Sequence, residues 1–351
     1  FATIWGALGL PSEASADAAS KSKLVEPRPQ YDGFGGRLRP NLDGFWRREF
    51  ATVALPLPAE GTVFDYGLAF AKPLEVTWVP WAGMVPAYAG GSGKSFKEIV
   101  VPTVDITRTT WLTRMLLHVR APVLLVGAAA SSKTVTLQLM VRELPKEVWR
   151  CSLAVCDGKS SYSMLQTLLE RSTERRRVGV RGPAGGVQRL LLVLDDLSMP
   201  PLDQYGSQKA LCLLRQMIAY KFVFSASQPG LRAELEGLQY MAAMNPAYGV
   251  GSIPPRLGRL FCALAMAAPD ADAIQHIYGT VLAAHLAPFD SRVRQAGEQL
   301  VAAVVGLHTA MASSFEPNAV RCHYVWDLRA PAALFGACVA FSTPETCRDP
   351  L

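Results

Sequence analysis

Three short segments of this chain are apolar at almost every position, and this pattern limits the fold more than any other feature of the sequence. A strand with no polar face must be covered on both sides, as happens when helices pack on both faces of a parallel sheet. The segments are PVLLVG at 122–127, RLLLVL at 189–194 and LQYMAAM at 238–244; helices are predicted between them in KTVTLQLMVREL, YSMLQTLLERSTERR and QKALCLLRQMI, and a further short strand in SLAVC. The chain is therefore predicted to be an α/β protein with a parallel sheet.

The regions on either side of this alternating pattern are different. GTVFDYG and VTWVPWAGMVP are predicted hairpin strands, FATIWGALGL is a predicted short helix, and TVDITRTTWLTRMLLHVR has apolar residues at helical spacing. After Pro269 the pattern is entirely helical. We therefore predict three parts: a linker and hairpin region at 1–86, an α/β unit at 87–268, and a helical unit at 269–351.

Composition indicates a folded chain with no strong electrostatic preference. Half of the residues are hydrophobic and 18% are charged, so the chain can bury a substantial core. The net charge of +6 permits an acidic partner without requiring nucleic acid, and the run Arg175-Arg176-Arg177 is predicted to be a solvated loop or helix face. No segment has the length of an uninterrupted membrane span, and the seven cysteines show no C-x-x-C spacing, which favours reduced thiols in an intracellular protein.

The first apolar strand leads into GAAASSKT, which is close to the phosphate-loop pattern G-x-x-x-x-G-K-[ST]. Gly127 permits a tight turn, Lys133 is expected to reach the β- and γ-phosphates of a nucleotide, and the Thr134 hydroxyl is expected to bind Mg²⁺. Ser132 stands where the second glycine is usual and costs about 1 kcal/mol if that position needs a positive φ. The predicted loop comprises Gly127, Ala128, Ala129, Ala130, Ser131, Ser132, Lys133 and Thr134.

A second match, Gly-Lys-Ser at 93–95, has no preceding strand and is predicted to be a flexible surface loop.

Polar residues follow the other two apolar strands, at the edge where ligands bind in open parallel sheets. Asp195 and Asp196 end the strand at 189–196, where the first acid would hold Mg²⁺ and the second would polarise an attacking water. Aspartate is one methylene shorter than the usual glutamate in the second role. The alternative for this pair is a turn or a helix cap. Asn245 could orient the water or the γ-phosphate, and is otherwise a turn residue.

Arginines in the last third of the chain are candidates for completing such a site. Arg256 and Arg259 could act as arginine fingers on a neighbouring nucleotide, because guanidinium matches phosphate geometry. Arg329 lies in the helical part and could reach back to a nucleotide bound at the sheet. Without such a site, all three would be ordinary surface charges.

The order of these motifs is that of AAA+ proteins, and their details resemble the dynein heavy chain at its third AAA+ module. The segments that carry the resemblance are VVPTVD at 100–105, LLLVLDDLSMPPLDQYGSQ, YMAAMNP, IYGTVL and HYVWDLR, which occur in the family's order. The resemblance implies that Val101 and Pro102 contact adenine and that the helical lid at 269–351 is incomplete. Ala130, Ser131 and Ser198 depart from the family's usual residues.

The resemblance also implies a function. The expected module binds ATP or ADP with Mg²⁺, is regulatory, hydrolyses ATP slowly or not at all, and contributes to microtubule-based motility of cilia or flagella. Expected partners are the neighbouring AAA+ modules, microtubules, and dynein intermediate and light chains, in the cytoskeleton or axoneme, with neither membrane nor nucleic acid. Two alternatives stay open: a structural ring segment that binds nucleotide without turnover, and an unrelated AAA+ ATPase acting on nucleic acid.

Overall fold

A computed structural model describes residues 32–50, 57–72, 75–88, 90, 96–225, 230–247, 253–315, 318, 320–321, 323–324 and 326–341. The helix predicted at 1–10 and the Gly-Lys-Ser of the surface loop at 93–95 lie outside these ranges.

Helices and strands are numbered along the described residues. The helices are α1 (Asp32–Glu49), α2 (Trp81–Met84), α3 (Val104–His118), α4 (Lys133–Glu143), α5 (Tyr162–Ser172), α6 (Lys209–Tyr220), α7 (Pro255–Gly258), α8 (Ala271–Leu286), α9 (Ser291–Ser314) and α10 (Arg329–Phe341). The strands are β1 (Tyr66–Lys72), β2 (Glu75–Pro80), β3 (Val123–Gly127), β4 (Trp149–Val155), β5 (Thr173–Arg177), β6 (Val180–Pro183), β7 (Arg189–Asp195), β8 (Phe222–Phe224), β9 (Arg232–Leu235), β10 (Leu238–Met244) and β11 (Cys262–Met266).

A five-stranded parallel sheet in the order β11-β3-β10-β7-β4 forms the centre of the α/β unit. Successive side chains of a strand point to opposite faces. On β7, Leu190, Leu192 and Leu194 pack with α5 and α6, whereas Leu191 and Val193 pack with α3 and α4. All five are at most 2% exposed, because helices cover both faces. The predicted fold class, a parallel sheet between two helical layers, is confirmed.

The parallel register brings the polar strand ends together. β3 pairs with β10 through Val126 and Met244, and β10 pairs with β7 through Ala242 and Leu194. The residues that follow these strands therefore lie at one edge of the sheet. On its other side β3 pairs with β11, a fifth strand that the sequence did not predict.

A second sheet corrects two predictions. The segment 162–176 was predicted as one helix, but α5 ends at Ser172 and Thr173 begins β5 of a four-stranded sheet in the order β5-β6-β9-β8. The Thr173 hydroxyl donates to the carbonyl of Leu169 at 2.7 Å and its backbone is extended, which ends the helix. The arginine run is consequently an exposed strand rather than a loop or a helix face, and Arg177 pairs with Glu236 at 2.6 Å.

The regular elements described after Pro269 are all helices, as predicted. Helices α8, α9 and α10 share a separate core in which Tyr278 stacks on Phe335 with ring centroids 4.7 Å apart. β11 ends at Met266 and α8 begins at Ala271, so the predicted boundary near 268 falls between two elements. None of the described helices combines the length and the apolar character that crossing a membrane requires.

A hairpin precedes the α/β unit, as predicted, since β1 and β2 pair antiparallel. Its strands are displaced from the predicted segments, because Val63–Asp65 form a short 3₁₀ turn and Trp81–Met84 form α2. Helix α1 was not predicted. It is fixed by tertiary contacts: the Asp43 carboxylate accepts the amide of Val63 at 2.7 Å, and Arg47 donates to the carbonyl of Pro58 at 2.7 Å.

Candidate functional site

The predicted phosphate loop connects β3 to α4 and closes around its own lysine. The Lys133 ammonium donates to the carbonyl of Gly127 at 2.9 Å and contacts the Ser131 hydroxyl at 3.3 Å. Burial lowers the pKa of Lys133, while the nearby carboxylates of Asp195 and Asp196 act in the opposite direction. The lysine is thus a partly desolvated charge at the sheet edge, and it must leave these oxygens to bind an anion.

Gly127 is needed for a close approach of two strands. A methyl group built on it would lie 2.4 Å from the backbone oxygen of Met266 and 2.5 Å from the Ser131 hydroxyl. Since carbon atoms essentially never come that close to backbone oxygen, any side chain here would push the loop away from β11. The loop's first position is therefore restricted to glycine by its neighbours.

Two non-glycine residues of the loop have left-handed backbone. Ala130 and Ser132 both have φ of 62°, and Ser132 has ψ of 17°. Ser132 occupies the second glycine position of the motif, and Ala130 is one of the residues that depart from the dynein-like loop. The left-handed region costs about 1–2 kcal/mol for a residue with a Cβ, so the loop is strained before any nucleotide binds.

Replacing either residue by glycine is expected to stabilise the module. Ala130→Gly or Ser132→Gly should raise the unfolding free energy by about 0.5–1 kcal/mol, because relief of strain outweighs the entropy that glycine adds to the unfolded chain. Nucleotide affinity should change little, since the strain is already present without ligand. Hydrogen exchange of the α4 amides in the full chain measures the gain. Ala302→Gly, on an exposed part of α9, is the control and should destabilise by about 0.5–1 kcal/mol. A loss of stability in all three variants would contradict the assignment of strain.

A hydrogen bond joins the loop's helix to the neighbouring acidic strand. The Thr134 hydroxyl donates to the Asp195 carboxylate at 2.7 Å, across 61 residues of sequence. Asp195 is 6% exposed, and its other oxygen accepts the amide of Asp196 at 3.0 Å. A threonine hydroxyl and a carboxylate are oxygen donors of the kind that Mg²⁺ takes, with phosphate and water oxygens as further ligands. Among the described residues no cluster of three His, Cys, Asp or Glu forms a protein-only metal site.

The second acid, Asp196, is half-buried and also left-handed, with φ of 53°. Burial raises the pKa of Asp196, the adjacent charge of Asp195 raises it further, and the positive charges of Lys133 and Arg329 oppose this effect. The carboxyl therefore sits among two cations and one anion. The negative charge of Asp196 is therefore stabilised by Lys133 and Arg329.

Asn245 ends β10 beside the loop, but its contacts are those of a turn residue. Its side-chain oxygen accepts the amide of Ala247 at 3.0 Å, and its backbone oxygen accepts the hydroxyl of Ser198 at 3.1 Å. It is 5% exposed. The hydrogen bond from Ser198 ties the segment after β7 to the end of β10.

The three candidate arginines lie in two different places. Arg329 begins α10, and its guanidinium is close enough to the sheet edge for its charge to act on Asp196. Arg256 lies in α7 and Arg259 directly follows it; both side chains are exposed to solvent. Arg329 is thus near the loop, whereas Arg256 and Arg259 are on the surface of the α/β unit.

A shallow cleft opens beside the loop, between α3, the end of β11 and α8. Its lining begins at Thr103, one residue after the predicted pair Val101 and Pro102, of which Val101 is buried. The lining residues that sequence reasoning missed include Thr103, Ile106, Arg108, Thr109, Met266 and Ile277. The polar first turn of α3 was the available signal for Thr103, but the contribution of α8 depends on packing between distant segments.

Comparisons of this chain with a family model and with curated proteins indicate the same family. The family described as P-loop containing dynein motor region matches residues 89–269. Dynein axonemal heavy chain 17 of Mus musculus is 30% identical over 316 residues, which cover 89% of this chain and 7% of that protein. Dynein axonemal heavy chain 11 of Sus scrofa is 31% identical over 90% of this chain, and the flagellar outer-arm dynein alpha chain of Chlamydomonas reinhardtii is 30% identical over 90% of it. The chain spans 7% of the length of each of these relatives.

Proposed function

The chain belongs to the dynein motor-region family of P-loop proteins, and we propose that it is the nucleotide-binding third AAA+ module of an axonemal dynein heavy chain. Within it, 87–268 is the large α/β subdomain and 269–351 part of the helical lid. Family membership confirms the resemblance found in the motifs. The position of the module in the ring stays a prediction.

The observation that carries the proposal is the hydrogen bond between Thr134 and Asp195. It places the hydroxyl that ends the phosphate loop against the acid that ends β7, and the Lys133 ammonium is within electrostatic range of that acid. A phosphate-binding lysine next to two hard oxygen donors suits a nucleoside triphosphate with Mg²⁺. ATP or ADP is therefore the proposed ligand, with its base towards the shallow cleft between α3 and α8.

Each residue has a distinct task in this proposal. Lys133 neutralises the β- and γ-phosphates, and the backbone amides from Ala128 to Ser132 face the anion at the amino end of α4. Thr134 and Asp195 hold Mg²⁺, which would polarise the phosphoryl oxygens. Asp196 would orient an attacking water.

A site that binds ATP without turning it over is the second candidate, and two observations favour it. Asp196 stands where glutamate is usual and is one methylene shorter, so its carboxylate can stop short of an attacking water. The Asn245 amide oxygen is engaged in a turn and not directed to a ligand. A regulatory module needs a conformation that depends on the bound nucleotide and does not need rapid hydrolysis. Both candidates are therefore compatible with a regulatory role.

The relatives are named axonemal, flagellar or ciliary dynein chains, and these names support a proposal for the function of the whole protein. We propose that the module contributes to ATP-driven, microtubule-based motility in the axoneme, with neighbouring AAA+ modules and dynein intermediate and light chains as partners. Arg256 or Arg259, both exposed, would serve a neighbouring module's nucleotide.

Asp196→Asn tests the proposed water-orienting role. Because this carboxyl would contact water rather than phosphate, the variant should bind ATP within about threefold of the parent and hydrolyse it at least tenfold more slowly. Single-turnover hydrolysis at this site, in a full heavy chain whose main catalytic module is disabled, measures both. If the variant hydrolyses ATP as fast as the parent, Asp196 has no catalytic role. If the parent itself does not hydrolyse ATP, the site binds ATP without turnover, which is the second candidate.

A further inference from the structure

The lid arginine is held by a carboxylate two residues before it. Asp327 accepts the backbone amide of Arg329 at 2.9 Å through one oxygen, and its other oxygen lies 3.6 Å from the Arg329 Nε. The Asp327 side chain is 16% exposed while that of Arg329 is 87% exposed. The aspartate is therefore a fixed, shielded anion, and the arginine is a flexible cation that extends from it.

Tertiary contacts fix the turn that carries both residues. The Tyr278 hydroxyl on α8 donates to the carbonyl of Leu328 at 3.0 Å, and the Tyr278 ring stacks on Phe335 of α10. Phe335 is 1% exposed. The backbone beside Asp327 is therefore fixed to the lid core, whereas the guanidinium of Arg329 extends into solvent.

A second carboxylate attracts the same guanidinium. Helix α8 lines the cleft beside the phosphate loop through Ile277 and bonds through Tyr278 to the turn that carries Arg329, so this turn lies near the loop. The positive charge of Arg329 also opposes the rise in the pKa of Asp196. If the site binds ATP as proposed, the γ-phosphate becomes a third anion near this cation. ADP has no γ-phosphate, so a contact between Arg329 and the γ-phosphate would strengthen the binding of ATP but not of ADP.

We propose that Asp327 is a positioning residue that restrains Arg329 and thereby weakens the preference of this site for ATP over ADP. The inference rests on the proposed function, since it needs a nucleotide at the loop. Asp327 competes with the γ-phosphate for the guanidinium, and it does so without touching the nucleotide. The site would therefore discriminate less strongly between ATP and ADP than it would without Asp327.

Replacing Asp327 by asparagine tests its two contacts with Arg329 separately, the hydrogen bond to the backbone amide and the ion pair with the guanidinium. Asp327→Asn keeps an oxygen that accepts the amide of Arg329, and so keeps the start of α10, but it removes the charge that attracts the guanidinium. An ion pair with one exposed partner is worth about 0.2–1 kcal/mol, which corresponds to a change of up to about fivefold. We expect the ratio of ATP to ADP affinity to rise about two- to fivefold, and the gain to shrink at about 0.5 M salt.

The experiment uses the full heavy chain with the phosphate-loop lysines of its other modules replaced, and fluorescent analogues of ATP and ADP as probes with Mg²⁺. Asp327→Asn is compared with the parent, with Arg329→Ala and with the double variant. The inference predicts a higher ATP/ADP ratio in Asp327→Asn and no gain from the same change when Arg329 is alanine. An unchanged ratio, or an equal gain without Arg329, would overturn it. Absence of both nucleotides from the parent site would instead refute the proposed function itself.

Discussion

Lys133→Ala is expected to weaken ATP binding at this site by about 10- to 100-fold. The Lys133 ammonium is the proposed direct partner of the phosphates, and a charge-assisted contact of this kind is worth about 1.5–3 kcal/mol. The unliganded lysine also bonds to the loop carbonyl of Gly127, so part of its binding energy replaces contacts that it already makes. ATP titration of a full heavy chain in which only this module retains an intact loop measures the effect.

The control for this variant is Lys146→Ala, which removes an exposed lysine just beyond α4. It should leave ATP affinity within about twofold, since a solvated charge outside the loop contributes little. If Lys133→Ala also leaves affinity unchanged, the loop does not hold phosphate and the module is a structural segment of the ring.

Gly127→Ala is expected to disrupt the end of the central sheet. The added methyl group would meet the backbone oxygen of Met266, which pairs with Gly127 where β11 lies against β3. Overpacking against backbone costs about 1–3 kcal/mol, and sometimes more, because the strand must shift as a whole. Amide exchange in β3 should therefore accelerate by about 5- to 150-fold in the full chain, and ATP affinity should fall because the loop starts at this residue.

Gly306→Ala is the matched control for that substitution. Gly306 lies in α9, and no atom lies within 4 Å of a Cβ built on it. Alanine there should stabilise the helix by about 0.5–1 kcal/mol and leave β3 unaffected. Equal exchange rates of β3 in both variants would show that the contact with Met266 does not restrict position 127.

Sequence pattern predicted the central sheet because its strands are buried on both faces. β7 has no polar residue between Arg189 and Asp195, and helices cover both of its faces, so its pattern is determined locally. β11 was missed because CALAM is short and its burial is mixed: Leu264 and Met266 are buried, whereas Ala265 is exposed. Helix α1 contains Pro40 and four glycines, and its formation depends on contacts of Asp43 and Arg47 with a distant turn.

The same distinction applies to the candidate site. The loop, Asp195 and Asp196 follow strands directly, so strand prediction alone places them at one edge. The strain at Ala130 and the hydrogen bond from Thr134 to Asp195 depend on backbone geometry and on strand order, which no single segment encodes. The link from Arg329 to Asp196 depends on how the helical part packs beside the sheet.

The most direct measurement is a structure of the full heavy chain determined with saturating Mg²⁺ and ATP. The account predicts phosphate density within hydrogen-bonding distance of the Lys133 ammonium, which has left the Gly127 carbonyl, and Mg²⁺ between Thr134 and Asp195. A loop without nucleotide under these conditions, with Lys133 still bonded to Gly127, would contradict the claim that this edge of the sheet is a nucleotide site.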